Sequence, residues 1–270
     1  MMKRNKKNRN KYIAIAVLFV LIVFSSAILI FDPFSWFVKE EVAIDTNDNN
    51  TEEVVVVDED EELVKKLWKE NSAISDDYVG TIKFESGLID LPFVKGATND
   101  TYYRTDWKTM KYDEEGSVYM DSNNTLDDQN IILEGHYVYA SYEASGTHMF
   151  TPLAKLIDEE NYKDNKYIKV YLENEVRSYE IAYVYYCKLI FDEYEGESFY
   201  YTDDGYEFNI QNYTEEQFNK YLSTIKNAAF YDTGVSITYS DKLLTLQTCV
   251  ENRDDLREIV VLKETDRKTY

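Results

Sequence analysis

Two cysteines and two histidines are all the thiol and imidazole that this 270-residue chain carries. One cysteine closes the run Leu243-Leu244-Thr245-Leu246-Gln247-Thr248-Cys249, and eight residues on Arg257 precedes Glu258-Ile259-Val260-Val261-Leu262. One histidine, His136, follows Asn130-Ile131-Ile132-Leu133-Glu134-Gly135. A Cys, a His and an Arg, each at the edge of a β-like run, are the minimum parts for thiol-based acyl transfer. A cysteine near its ordinary pKa of about 8.5 is mostly protonated at neutral pH, so it needs a base. His136 is the candidate, since imidazole can take the thiol proton and return it to a leaving amine. Arg257 offers a permanent positive charge for a developing oxyanion or a substrate carbonyl. Gly135 is expected to permit an unusual backbone turn just before the histidine.

Each of these residues has a rival or a plainer reading. His148, beside Met149-Phe150, competes with His136 but lacks the preceding apolar run and glycine. Arg253 competes with Arg257 but sits among the carboxylates of Glu251-Asn252-Arg253-Asp254-Asp255, read as a polar loop. Cys187 directly follows Tyr183-Val184-Tyr185-Tyr186, where a free cysteine behaves as a small buried hydrophobe. Pairing of Cys187 with Cys249 is the alternative. No Cys-x-x-Cys or His-x-x-x-His spacing exists, so no metal site is expected. Asp121, Asn123, Asn124, Asp127 and Asp128 offer oxygen ligands without an EF-hand register, and read as a polar turn.

The elements that must hold these residues are mostly strands. Period-two runs occur at Tyr78 to Phe84, Leu88 to Val94, Ser117 to Asp121, Ile131 to Leu133, Tyr167 to Leu172, Val176 to Ile190, Val235 to Tyr239, Leu243 to Thr248 and Glu258 to Lys263. Glu173-Asn174-Glu175 and Ser240-Asp241-Lys242 read as hairpin turns. In Leu243 to Cys249 alternation puts Leu244, Leu246 and Thr248 on one face and Leu243, Thr245, Gln247 and Cys249 on the other. Thr151-Pro152 reads as a helix start. Thr214 with Gln217 forms a capping box before the stripe Phe218, Tyr221, Leu222, Ile225. A short amphipathic helix is expected over Glu61 to Asn71. About eight strands with few helices favour a mainly β fold, a barrel or sandwich, over a wound α/β sheet.

The N-terminal segment and the charge suggest a location. Met1 to Lys11 holds six positive charges and no acidic residue, and Tyr12 to Phe31 is twenty uncharged, mostly apolar residues. That length suits a membrane-spanning signal-anchor (12–31) with the basic tail (1–11) in the cytoplasm and the remainder outside the cell. A signal peptide cleaved near Ser25-Ser26-Ala27 is the alternative. Residues 32–60 read as an acidic extracellular linker and 61–270 as the catalytic domain. Beyond residue 31 the formal charge is −28, since six of the 29 basic residues and none of the 51 acidic ones precede it. Such a domain should avoid nucleic acid.

Thr245-Leu246-Gln247-Thr248-Cys249 with Arg257 before a Val-rich run resembles the active-site signature of sortases, membrane-anchored cysteine transpeptidases of Gram-positive surfaces. Gly135-His136, with Met149-Phe150 downstream, resembles their histidine segment. Thr101-Tyr102-Tyr103-Arg104-Thr105-Asp106 and Gly116-Ser117-Val118-Tyr119-Met120-Asp121 resemble class B in particular, as does the helix over Thr214 to Ala228. The resemblance covers roughly Glu62 to Lys263. It implies an eight-stranded sortase-type β-barrel with added helices, with Cys249 as nucleophile, His136 as acid/base and Arg257 as oxyanion or substrate stabiliser. It implies secreted proteins with a C-terminal sorting signal as substrates, an amine of a cell-wall precursor or a pilin lysine as acceptor, and no cofactor. Class B members more often have Ser where Gln247 stands and Asn where Tyr137 follows the histidine. Gln247, Thr248 and Tyr137 are therefore where substrate preference is expected to lie. A Cys-His hydrolase using water, or a tethered binding module with a buried Cys249, are the competing readings.

Overall fold

The computed structural model describes residues 58–139, 148–192, 197–201 and 210–270, with only the backbone at 189–192 and 197–201. The segment expected to span a membrane, most of the acidic linker, and the middle of the 137–148 loop lie outside the described residues. Among the described residues no helix is long and apolar enough to cross a membrane.

Chain order begins with helix α1 (Glu59–Ser72), capped by the Asp58 side chain accepting from the Asp60 N–H. Then come β1 (Tyr78–Phe84), β2 (Asp90–Val94), a helical turn α2 (Asp100–Tyr103), a small hairpin of β3 (Thr105–Asp106) and β4 (Lys111–Tyr112), β5 (Tyr119–Met120) and β6 (Asn130–Glu134). A 3₁₀ segment (Thr151–Ile157), α3 (Glu159–Lys163), β7 (Tyr167–Tyr171), β8 (Glu175–Asp192) and β9 (Glu197–Tyr201) follow. Helix α4 (Glu215–Ala228) then leads to β10 (Leu243–Val250) and β11 (Arg253–Thr269). The strands run in the order β11-β10-β6-β5-β2-β1-β7-β8, and β8 pairs back onto β11, closing an eight-stranded barrel. β9 pairs only with the far end of β8, from Lys188 to Asp192.

Two apolar layers lie on opposite faces of the same strands. Leu244, Leu246, Val260, Leu262, Leu133 and Val184 point into the barrel, with Phe93 and Phe150 filling its centre. Leu243, Ile259, Val261, Tyr183 and Tyr185 point outward and are covered by Phe218, Tyr221 and Ile225 of α4. Burying each such side chain is worth about 1.5–3 kcal/mol, which holds α4 on the sheet. The α4 capping box is formed: Thr214 Oγ1 accepts from the Gln217 N–H at 3.2 Å, and Gln217 Oε1 from the Thr214 N–H at 2.8 Å. Helix α1 packs Val64 against Tyr171 and Val176 on the opposite side of the barrel.

Several expectations change. Val235 to Tyr239 forms no strand and no hairpin with β10. Both edges of β10 are already taken, one by β6 in parallel and one by β11, so a third partner has no free ladder. Ile237 is instead buried as a plug beneath α4. The segment from Thr151 is a 3₁₀ helix whose cap position is Phe150 rather than an α-helix capped by Thr151. The Thr151 hydroxyl is spent on the Val138 N–H at 2.7 Å. The polar loop after Cys249 shrinks to a tight turn at Glu251-Asn252, with Asn252 at φ 58°, and Arg253 already opens β11.

Candidate active site

Strand register puts the chemistry-bearing residues in one row at the barrel rim. β6 and β10 run parallel with Glu134 opposite Gln247, so two residues further His136 comes level with Cys249. β11 runs antiparallel on the other side and sets Arg257 directly opposite Cys249. Opposed residues on neighbouring strands share a face, so the cysteine and the arginine project to the same side of the sheet. That side opens to a small cleft of about 50 Å³, room for a water or two or the tip of a small side chain. Cys249, His136, Arg257, Gln247 and Thr248 line it together with Glu134.

The cysteine is half-buried, and the backbone N–H of Tyr137 lies near enough to the sulfur to favour its thiolate. Burial pushes the Cys249 thiol up; Arg257 and the Tyr137 N–H oppose this, while Asp254 and Glu134 add to it. His136 Nε2 lies 2.6 Å from the carbonyl oxygen of Tyr103. A carbonyl only accepts, so Nε2 carries the proton and Nδ1 keeps the lone pair in the neutral ring. The ring also packs against Tyr103, with centroids 4.5 Å apart. Burial pulls the His136 pKa down, against the Tyr103 carbonyl and with help from Arg104 and Arg257. A raised thiol beside a lowered imidazole means that the neutral pair, rather than thiolate and imidazolium, dominates the resting site near neutral pH.

The Arg257 guanidinium is aimed by its own turn: Nη1 donates to the carbonyls of Asp254 at 3.0 Å and Leu256 at 2.7 Å. Tyr137 reaches across the same turn, its hydroxyl donating to Glu251 Oε2 at 3.3 Å, and it contributes its backbone rather than its ring to the cysteine. Gly135 does not take the unusual turn expected of it, since its φ is not positive. It is needed because a Cβ there would come within 2.8 Å of the buried Phe150 ring. That contact seats the histidine segment on the 3₁₀ region, and Phe150 N donates to the His136 carbonyl at 3.1 Å.

The rivals lie elsewhere. His148 Nδ1 is 2.7 Å from Glu115 Oε2, and the residue is half exposed outside the cleft. Arg253 is exposed and forks onto Asp255 at 2.8 and 2.9 Å. Cys187 and Cys249 are both free thiols. They flank Arg257 on either side, two strands apart, which is about 10 Å between Cα atoms and beyond the reach of a disulfide. Among the described residues no cluster of His, Cys, Asp or Glu is arranged to hold a metal.

Three lining residues escaped the sequence reading. Tyr103 and Tyr119 arrive from distant segments whose resemblance to class B was noted without singling out either side chain. Glu134 did carry one: a carboxylate closing the otherwise apolar run Ile131-Ile132-Leu133. On the opposite face of β11, Glu258 points into the barrel beside its strand partner Thr248, and neither Glu258 Oε1 nor Thr248 Oγ1 has a hydrogen-bond partner among the described residues. Burial pushes Glu258 up to about 8, so this carboxyl is largely protonated at neutral pH.

A thiol, an imidazole and a guanidinium on one cleft can carry out nucleophilic acyl transfer, and the comparisons agree. Sortase B of Staphylococcus aureus is 24% identical over 205 residues, 75% of either chain. Sortase B of Listeria monocytogenes is 27% identical over 183 residues, 67% of this chain and 66% of that one. The X-ray structure of Clostridium perfringens sortase B matches with a TM-score of 0.60 at 29% identity, over 73% of this chain and 99% of that one. This chain is a class B sortase-like protein, a cysteine transpeptidase. No family model matches it. Its eight-stranded barrel is the fold shared with those sortases, and the cleft of this sortase-like chain sits at the end of the parallel β6–β10 pair.

Proposed function

We propose that Cys249 attacks the scissile carbonyl of a C-terminal sorting signal on a secreted surface protein. The peptide bond breaks, the N-terminal part becomes a thioester on Cys249, and the C-terminal part leaves as an amine. His136 takes the thiol proton and delivers it to that amine, while Arg257 holds the carbonyl oxygen as it becomes an oxyanion. An amine of a cell-wall precursor, or a pilin lysine, then resolves the thioester with His136 as base, and the thiol is restored. The observation that carries this reading is the cross-strand pairing of Cys249 with Arg257 on the cleft that His136 lines. His136 rests on the Tyr103 carbonyl, so on this reading substrate entry turns the ring toward the sulfur. Residues 12–31 anchor the enzyme in the membrane with the catalytic domain outside the cell.

The test is incubation of residues 32–270 with a library of sorting-signal peptides, with and without an added amine. Cleavage with formation of the aminolysis product, lost in Cys249→Ala and in His136→Ala, is the expected result. Full activity in Cys249→Ala would end the proposal. Hydrolysis alone, unchanged by amine, would replace the transpeptidase by a hydrolase.

A further inference from the structure

The cleft holds one carboxyl group, and acyl transfer assigns it no task. Glu134 ends β6 as the strand partner of Gln247, with Arg257 on the strand beyond. Part of the residue reaches the surface, but its carboxyl is enclosed. Its Oε2 accepts from the Tyr119 hydroxyl at 3.2 Å, and the Gln247 side chain, its cross-strand neighbour, also favours the carboxylate. Arg257 attracts the carboxylate and Asp121 repels it. Glu134 and Arg257 also act on the nucleophile: at Cys249 Arg257 favours the thiolate, while Asp254 and a Glu134 carboxylate disfavour it.

We propose that Glu134 is a positioning residue that sets the charge of the site: ionised, it takes up the Arg257 charge and opposes the Cys249 thiolate; protonated, it releases both for acyl transfer. This rests on the reading of Cys249 as nucleophile and Arg257 as its cationic partner. Enclosure brings the Glu134 carboxyl to about 7, so both forms are populated near neutral pH. Tyr119, Gln247 and Arg257 favour the carboxylate, while enclosure and Asp121 favour the acid. His136, the remaining titratable neighbour on the same segment, is held neutral by burial. A glutamate retained only for packing would need none of this: an amide of the same shape would do equally well, and that difference is measurable.

The experiment is alkylation of the folded full-length chain in detergent by iodoacetamide across pH, read at the Cys249 peptide by mass spectrometry. Glu134→Gln keeps the shape and can still accept from Tyr119, but it cannot ionise. The Cys249 midpoint is expected to fall by about half a pH unit or more, roughly a threefold gain in thiolate below the midpoint. Glu134→Asp should return it toward wild type, and with substrate the gain should appear in kcat rather than KM. A Glu134→Gln profile that superimposes on wild type overturns the proposal. Alkylation needs neither a sorting signal nor an amine, so that outcome leaves the transpeptidase reading standing. A shifted profile in a protein that cleaves no peptide counts against that reading alone. If Glu134→Gln does not fold, Glu134→Ala removes the same charge with less bulk and should lower the midpoint in the same way. No shift, or the opposite one, would equally overturn it.

Discussion

Cys249 and Cys187 are the two immediate strand neighbours of Arg257, one on each side, and they project to the same face of the sheet. Arg257 therefore does not distinguish them, since it favours the thiolate of both. What differs is the cover. Cys187 is buried in the layer beneath α4, among Tyr185, Tyr221 and Ile259, and burial pushes its thiol up to about 12. Cys249 lies one step beyond that layer, at the rim, where the face opens into the cleft. Of the two thiols, only Cys249 lines the cleft, because the layer under the helix does not extend over it. An arginine alone does not make a nucleophile.

The most direct way to break this comparison is to remove each sulfur. Cys249→Ala should abolish peptide cleavage, whereas Cys187→Ala should leave kcat/KM near wild type and only loosen the packing. Comparable losses in both would mean that Cys187 has a part in the reaction. Next, Arg257→Ala should lower kcat/KM by about 10²–10³, the usual cost of one oxyanion-stabilising group, with Arg253→Ala near wild type. The reverse order would show that the exposed arginine on the turn serves the cysteine. Third, in the folded protein at pH 8 Cys187 should alkylate at least about 100-fold more slowly than Cys249. A thiol at about 12 is roughly one part in 10⁴ thiolate there. Equal rates would show that α4 does not seal its face.

The smallest effect concerns the opposite face of the same row. Glu258 has a folded pKa near 8, above its ordinary value, so between about pH 5 and 8 the folded chain holds a proton that the unfolded chain has lost. Stability should therefore be complete below the unfolded pKa and fall as pH rises toward 8, by at most about 1.4 kcal/mol per pH unit. Glu258→Gln should remove this contribution, while Glu134, also raised, adds a separate slope of its own. Urea midpoints at pH 5.5 and 7.5 measure it, and an unchanged slope would mean that Glu258 is ionised inside the barrel.

Much of this arrangement was legible along the chain because the signals were local. Period-two alternation separated Leu244 and Leu246 from Gln247 and Cys249, and the structure keeps those apart, while Thr248, assigned to the Leu244 face, lines the cleft as well. The Thr214 capping box needed only four residues to announce α4. Val235 to Tyr239 misled for the same reason: its alternation is real, but a strand also needs a free edge, and β6 and β11 hold both edges of β10. Gly135 was correctly marked as special and wrongly explained, since the constraint comes from Phe150, fifteen residues away. Glu134 and Tyr103 were missed because their importance depends on which strand lies beside them.

Residue type and short-range spacing thus determined which groups this chain has for chemistry: a thiol ending one strand, a histidine following another, and an arginine entering a third. Tertiary structure decided that these three share a row, because only the parallel register of β6 on β10 and the antiparallel return of β11 bring them level. It also decided which cysteine is open, which arginine is aimed, and that a carboxyl enclosed in the cleft stands beside both. Register and cover are properties of neighbouring strands and helices, and a single stretch of chain does not encode its neighbours.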